Sequence, residues 1–226
     1  MGRLSKRKRA DMESFDQDTA LPLSEALDKI KEFKPTKFEQ SVELCMHLGI
    51  DTKQAEQAIR GSFALPHGIG KSKRVIAFCG DDKAGEAKDA GAVEAGGEDL
   101  VKKVQDGWME FDVAIASPEM MRVVSKLGRV LGPRGLMPSP KSGTVTPDVG
   151  QAVREYGAGK LEFRNDAGGN VHAVIGKVGF ETTQLTENAQ AFIENIERMK
   201  PSTTKGVYVK KVTVSATMSP GVQVVI

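Results

Sequence analysis

The sequence has little of what marks secreted scaffolds, membrane proteins or common enzymes. Its 226 residues include two cysteines, Cys45 and Cys79, far apart in the chain. That spacing excludes a CxxC metal or redox site and a disulfide framework, so both are expected to be reduced core residues. No apolar run approaches the ~18 to 20 residues that a membrane-spanning helix needs. The N-terminus, MGRLSKRKR, has no hydrophobic stretch behind its charges, so it lacks a secretory signal and the cytoplasm is the expected location. The three histidines, His47, His67 and His172, show no HxxH or HExxH spacing, which gives a metal no ligand pattern. There is no GxSxG around any serine. A non-enzyme without cofactor or metal is the expectation.

Acidic residues are missing locally rather than globally. The net charge of +2 is modest, but no acid lies between Arg198 and Ile226, where Lys200, Lys205, Lys210 and Lys211 add to Arg198. The same holds for Met120 to Pro147, with Arg122, Lys126, Arg129, Arg134 and Lys141, whereas the charges of residues 81–119 are mostly acidic. Arg3, Lys6, Arg7, Lys8 and Arg9 make the first nine residues entirely basic among their charges, which reads as a disordered electrostatic arm over residues 1–19. Charge sorted by region in this way suits an anionic partner.

Hydrophobic spacing predicts the elements. A helix is expected from Ser24, as N-cap, to about Phe33, ended by Pro35. Val42, Leu44, Met46 and Leu48 alternate with polar positions and predict a half-buried strand. A short helix over Thr52–Ala58 and a strand over Ile59–Leu65 follow. Val75–Cys79 with the helical sequence behind it, then Asp112–Ala116 with a helix over Pro118–Leu127, read as repeated βα units of a small parallel sheet. Leu161–Asp166, a Gly168-Gly169-Asn170 turn and Val171–Lys177 predict a hairpin. Thr182–Met199 predicts a helix whose Leu185, Ala189, Phe192, Ile193 and Ile196 share one face, and strands over Val207–Thr217 and Val222–Val225 close the chain.

One helix and two strands are too little for the N-terminal part to close a core alone. The expected fold is therefore α/β with two domains. Residues 20–67 plus 160–226 form a split α+β domain from both chain ends, and residues 68–159 are an inserted Rossmann-like parallel α/β domain. Two neighbouring glycine-rich linkers would act as a hinge. Gly68-Ile69-Gly70-Lys71 invites comparison with a phosphate loop, but it precedes a strand and lacks the GxxxxGK[ST] spacing. The rival reading, a small nucleotide-binding enzyme, needs such a loop and a catalytic pair.

The segment from Lys126 to Val145 contains LGPRGLMPSPKSGTV, whose prolines and glycines hold Arg129, Arg134 and Lys141 on a non-repetitive backbone where they can meet phosphates. This segment resembles the signature of the ribosomal protein L-one family. Lys37-Phe38, Arg60-Gly61, Leu65-Pro66-His67-Gly68, Asp106-Gly107-Trp108, Glu162-Phe163-Arg164-Asn165-Asp166 and Ala216-Thr217-Met218 are also similar to that family, so the resemblance runs from about residue 20 to 226.

The resemblance implies a protein of the mobile side stalk of the large ribosomal subunit. It would bind folded ribosomal RNA through the split domain and assist release of transfer RNA from the exit site. In bacterial members it also implies repression of the protein's own operon messenger through the same surface. By position, the ribosomal RNA contacts would be Lys37, Phe38, Ser41, Glu43, Asp166, Ser215, Thr217, Met218 and Ser219, with secondary RNA contacts at Arg129, Arg134 and Lys141. By residue type alone, Phe38 and Met218 read as core, Thr217 as a strand residue and Asp166 as a turn residue. The family has glycine after the Thr-Met pair, so Ser219 departs from its pattern.

Overall fold

The computed structural model describes residues 5–16 and 19–225. In chain order the elements are α1 (Lys6–Glu13), α2 (Leu23–Glu32), β1 (Ser41–Leu48), β2 (Arg60–Phe63), β3 (Val75–Phe78), α3 (Asp81–Asp89), β4 (Glu94–Gly96), α4 (Glu98–Gln105), β5 (Val113–Ala116), α5 (Met121–Val124), α6 (Gly128–Leu131), α7 (Val149–Gly157), β6 (Leu161–Arg164), β7 (Asn170–Lys177), α8 (Thr182–Arg198), β8 (Val209–Ala216) and β9 (Val222–Val224). They form two compact units. One holds the described residues up to Gly70 and from Leu161 onward, and the other is Lys71–Lys160.

The first unit is α+β. Its main sheet is antiparallel in the order β7-β1-β8-β9, and β2 pairs with β6 in a second sheet of two strands. The period of two in β1 buries Val42, Leu44, Met46 and Leu48, which join Val171, Ala173 and Ile175 of β7 and Val212, Val214 and Ala216 of β8. Ala26, Leu27 and Ile30 of α2 and Leu185, Ala189, Phe192 and Ile196 of α8 complete this core. The opposite face, with Ser41, Glu43, Cys45, His47, His172, Val174, Thr213 and Ser215, has no buried residue. One face is thus packed and the other is open to a partner, an arrangement antiparallel sheets allow.

The second unit is a parallel sheet, order β4-β3-β5. Ile76 and Phe78 face a cluster with Leu100, Val104, Leu127 and Leu131, while Val75 and Ala77 face Ala87, Val149, Val153 and Tyr156 on the other side. Every residue of β3 is buried because helices cover both faces.

Several sequence expectations are corrected. Lys6–Glu13 form a helix, capped where Ser5 Oγ accepts the Lys8 N–H at 3.2 Å, instead of a disordered arm; Arg3 lies outside the described residues. α2 starts one residue before Ser24, after Pro22, with no side-chain cap, because proline presets the entry. Thr52–Ala58 is a run of turns rather than a helix. There Asp51 Oδ1 accepts the Lys53 N–H at 3.1 Å and Gln57 Oε1 accepts the Asp51 N–H at 2.8 Å, side-chain bonds that compete with helical ones. The expected helix over Pro118–Leu127 is broken into α5, a 3-10 turn at Ser125–Leu127 and α6. Leu161–Asp166 and Val171–Lys177 are joined by the expected turn, where Asp166 N–H donates to Asn170 O at 2.8 Å, but they meet in a single antiparallel bridge, Asn165 to Val171, and pair no further. β7 pairs instead with β1 from Ser41 to His47, and β6 with β2. Cys79 is buried, but Cys45 is half-buried on the open sheet face, where burial and the charges of Glu43 and Asp166 raise the pKa of its thiol.

The Gly68-Ile69-Gly70-Lys71 segment is a packed passage of chain. Buried Asn188 accepts the His67 N–H at 3.0 Å and donates to Gly68 O at 3.0 Å and Ile175 O at 2.8 Å. Gly70 has φ 71°, and a Cβ there would lie 2.8 Å from the Phe180 ring. Gly70 serves close packing, which glycine alone allows freely at positive φ.

Candidate nucleic-acid interface

The site is built where β1 begins and β8 ends. Glu43 stands opposite Ser215 and Val42 opposite Ala216 in the antiparallel ladder. Pairing continues one residue past β8: Thr217 N–H donates to Ser41 O at 3.1 Å, and Ser41 N–H donates to Thr217 Oγ1 at 3.1 Å. The chain then turns, with Ser219 N–H donating to Ala216 O at 3.0 Å.

Buried Gln40 joins the two segments, since its Oε1 accepts the Met218 N–H at 3.0 Å. On the β1 side, Thr36 Oγ1 donates to Phe38 O at 2.6 Å and shapes the approach. The Phe38 carbonyl and the Met218 N–H are thus bonded within the protein, and the large side chains are left outside: Phe38 is 53% exposed and Met218 50%. Both residues are surface groups, not core. Lys37 is exposed beside Phe38.

The adjoining open face is polar and ordered by cross-strand contacts. Lys177 Nζ donates to Ser41 Oγ at 2.8 Å, and Glu43 Oε1 lies 2.8 Å from His172 Nδ1. Ser215 is half-buried in the same row. Ser219 fits its turn without strain, for no described non-glycine residue has positive φ. Its Oγ accepts the Ala216 N–H at 2.8 Å and donates to Pro220 O at 2.9 Å, so the hydroxyl works inside the turn.

Asp166 stands at the far end of the same sheet face, where its charge acts on Cys45, as that of Glu43 does. Its turn adjoins Asn170, which pairs with His47, six residues along β1 from Ser41 and so roughly 20 Å away at strand rise. The Asn170 side-chain amide donates to Oδ2 at 3.0 Å, and the Asn170 and Gly168 N–H groups donate to Oδ1 at 2.8 Å. These bonds hold its pKa below the ordinary carboxylate value.

In the second unit, Arg129, Arg134 and Lys141 are exposed and enter no ion pair among the described residues. The loop carrying them is fixed from inside. Thr144 Oγ1 accepts the Ser139 N–H at 2.8 Å, the Tyr156 hydroxyl donates to Ser142 O, and Leu131 is buried with Leu136 and Met137 against it.

The model of the Ribosomal protein L1p/L10e family matches residues 30–220. The chain belongs to this family. A Large ribosomal subunit protein uL1 from Rhodopirellula baltica is 57% identical over 224 residues, 99% of each chain. Proteins of the same name from Nocardioides and Alcanivorax borkumensis are 50% identical over 220 residues (97% of this chain, 92% of the relative) and 48% over 224 residues (99% and 97%). The family is structural and non-enzymatic.

Sequence reasoning did not single out Gln40, Lys177 or His172, which shape this candidate site. No local signal marks them, because each acts through a strand pairing with a residue far along the chain.

Proposed function

We propose that this chain is a structural constituent of the large ribosomal subunit, working in the cytoplasm, and that the Phe38/Met218 end of its first unit binds folded large-subunit ribosomal RNA. The carrying observation is the pair of half-exposed apolar side chains on turns joined by Gln40. Exposed apolar groups on ordered backbone beside a cation and small hydroxyls suit RNA, whose ribose faces, 2′-hydroxyls and phosphates are read more than its base edges. Lys37 supplies charge for a phosphate. The Thr217 hydroxyl accepts the Ser41 N–H at 3.1 Å and donates to Ser41 O at 3.4 Å, a long bond that a 2′-hydroxyl or phosphate oxygen would replace on binding.

The finer reading is that the acid-free segment of the second unit, through Arg129, Arg134 and Lys141, meets transfer RNA leaving the exit site. Cations on a braced loop favour a phosphate backbone and a salt-sensitive, transient contact. We further propose that the Met218 surface recognises a similar fold in the protein's own operon messenger, so that ribosomal RNA and messenger compete for one site and surplus protein represses its own translation.

The test is chemical protection of large-subunit RNA by the purified chain. A single compact protected region, lost in a Phe38→Ala, Met218→Ala double variant, is expected. Protection that survives this variant unchanged would move the RNA site elsewhere on the protein.

A further inference from the structure

Helix α1 is docked on the first unit beside the Met218 turn. Arg7 Nη2 donates to the Met218 carbonyl oxygen at 2.9 Å. One helical turn on, Asp11 is 4% exposed and its Oδ1 accepts the Lys34 N–H at 3.3 Å. Just past the helix, the Phe15 ring lies 5.5 Å from that of Phe33, centroid to centroid. Three contacts along one side fix the helix's rotation. At about 100° per residue, Lys6 and Lys8 then flank Arg7 on either side, and Arg9 points outward. Lys6, Lys8 and Arg9 are exposed and enter no ion pair among the described residues.

This placement works against the isolated helix. Four consecutive cations with no acid in the first turn repel one another and sit at the positive end of the helix dipole. A helix of eight residues is marginal in water without such penalties. A polyanion lying across the Met218 turn would cancel the repulsion at the point where Arg7 grips it.

We propose that α1 is an electrostatic half of the RNA interface: Arg7 braces the Met218 turn, and Lys6, Lys8 and Arg9 contact phosphates flanking the RNA that the turn receives. The proposal rests on the reading that this turn meets RNA. α1 would then add charge beside the Phe38/Met218 cluster, where Lys37 is exposed and Lys177 is engaged with Ser41 Oγ, and the exposed apolar pair and the phosphate contacts would engage one ligand from two sides.

The experiment titrates the full-length chain with the large-subunit RNA fragment that it protects, over a range of salt. The Lys6→Gln, Lys8→Gln, Arg9→Gln variant should bind at least about tenfold more weakly at 0.1 M salt. Its slope of log affinity against log salt should flatten by roughly two to three units, at about 0.9 for each phosphate no longer neutralised. An unchanged slope overturns the proposal. Asp11→Ala separates a docked helix from a loose basic tail, because it removes the tether while making the segment more positive. Binding weakened about fivefold or more supports docking; equal or tighter binding overturns it. If the unaltered chain fails to bind the RNA, the reading of the Met218 turn falls and this proposal with it. If the unaltered chain binds and neither variant differs from it, α1 alone is removed from the interface.

Discussion

Thr217 and Ser41 exchange two hydrogen bonds of 3.1 Å, one backbone to backbone and one in which the Thr217 hydroxyl takes the place of a carbonyl as acceptor for the Ser41 N–H. The hydroxyl thereby extends the β1/β8 ladder past its last regular pair and holds the Met218 turn against the start of β1. Thr217→Val keeps the β-branched shape and removes that acceptor. Because the pair is exposed, water can replace the missing bond, and folding should cost only about 0.5 to 1 kcal/mol. RNA affinity should fall further, by about 1 to 2 kcal/mol, because the turn loosens and the hydroxyl that now donates weakly to Ser41 O at 3.4 Å is no longer there for RNA to engage. Thermal melts and RNA titrations on one preparation check this; a loss of stability with full affinity would make the hydroxyl structural only.

Phe38 and Met218 should respond in the opposite way to core residues. Truncating a buried residue of this size costs about 2 to 5 kcal/mol of stability. Here Phe38 is 53% and Met218 50% exposed, so each alanine variant should stay within about 0.5 kcal/mol of the parent. RNA binding should weaken in both. A melting temperature that drops by many degrees in either variant would show packing that the exposure does not predict.

The contrast with residue type explains how much of this protein could be read in its sequence. The strands and helices with long, clean periodicity were legible. β1 shows its alternation from Val42 to Leu48, and the face of α8 runs from Leu185 to Ile196. What failed depended on long-range choices. β6 and β7 flank a good turn, yet each has a better partner elsewhere in the chain, and the turn at Asp51 to Gln57 is decided by side-chain hydrogen bonds that helix propensity does not weigh. The basic N-terminus reads as a solvated arm because Arg7, Asp11 and Phe15 find their partners at Met218, Lys34 and Phe33, which no local window contains. For the interface, composition shows a regional excess of positive charge, and the individual residues came from resemblance to the family. Residue type alone puts Phe38 and Met218 in the core, since nothing local reveals that Gln40 takes the Met218 N–H and leaves both side chains outside.

Asp166 gives a prediction for acid pH. Bonds from the Asn170 side-chain amide, then from the Asn170 and Gly168 backbone N–H groups, lower its pKa from the ordinary 3.8. The folded value lies below the unfolded one, so the ionised carboxylate steadies the turn above the ordinary value. That support fades as pH falls through the lower, folded value. The amide resonances of Gly168 and Asn170 should therefore move together in a single transition below pH 3.8. In Asp166→Asn the transition should vanish. A midpoint at or above the ordinary value would mean that the turn bonds do not favour the ionised form.

The second unit allows a test that is independent of the first. Arg134 and Lys141 are exposed, without an ion pair among the described residues, on a loop that Thr144 and Tyr156 brace from within, so removing their charges should leave the fold intact. Arg134→Ala with Lys141→Ala should change the melting temperature little, since surface changes of this kind are usually worth within about 0.5 kcal/mol. Their effect on RNA should be electrostatic: the affinity for transfer RNA should fall, and its salt dependence should flatten by roughly one unit of slope for each phosphate no longer met. Affinity of the first unit for ribosomal RNA should not change, because none of its proposed contacts is altered. Substituting Tyr156→Phe provides the converse. It removes the bond to Ser142 O while leaving every cation in place, so it should loosen the loop and weaken transfer RNA binding without flattening the salt slope. If the charge variant keeps its full slope, the cations do not meet phosphate and the loop serves the fold of this unit alone.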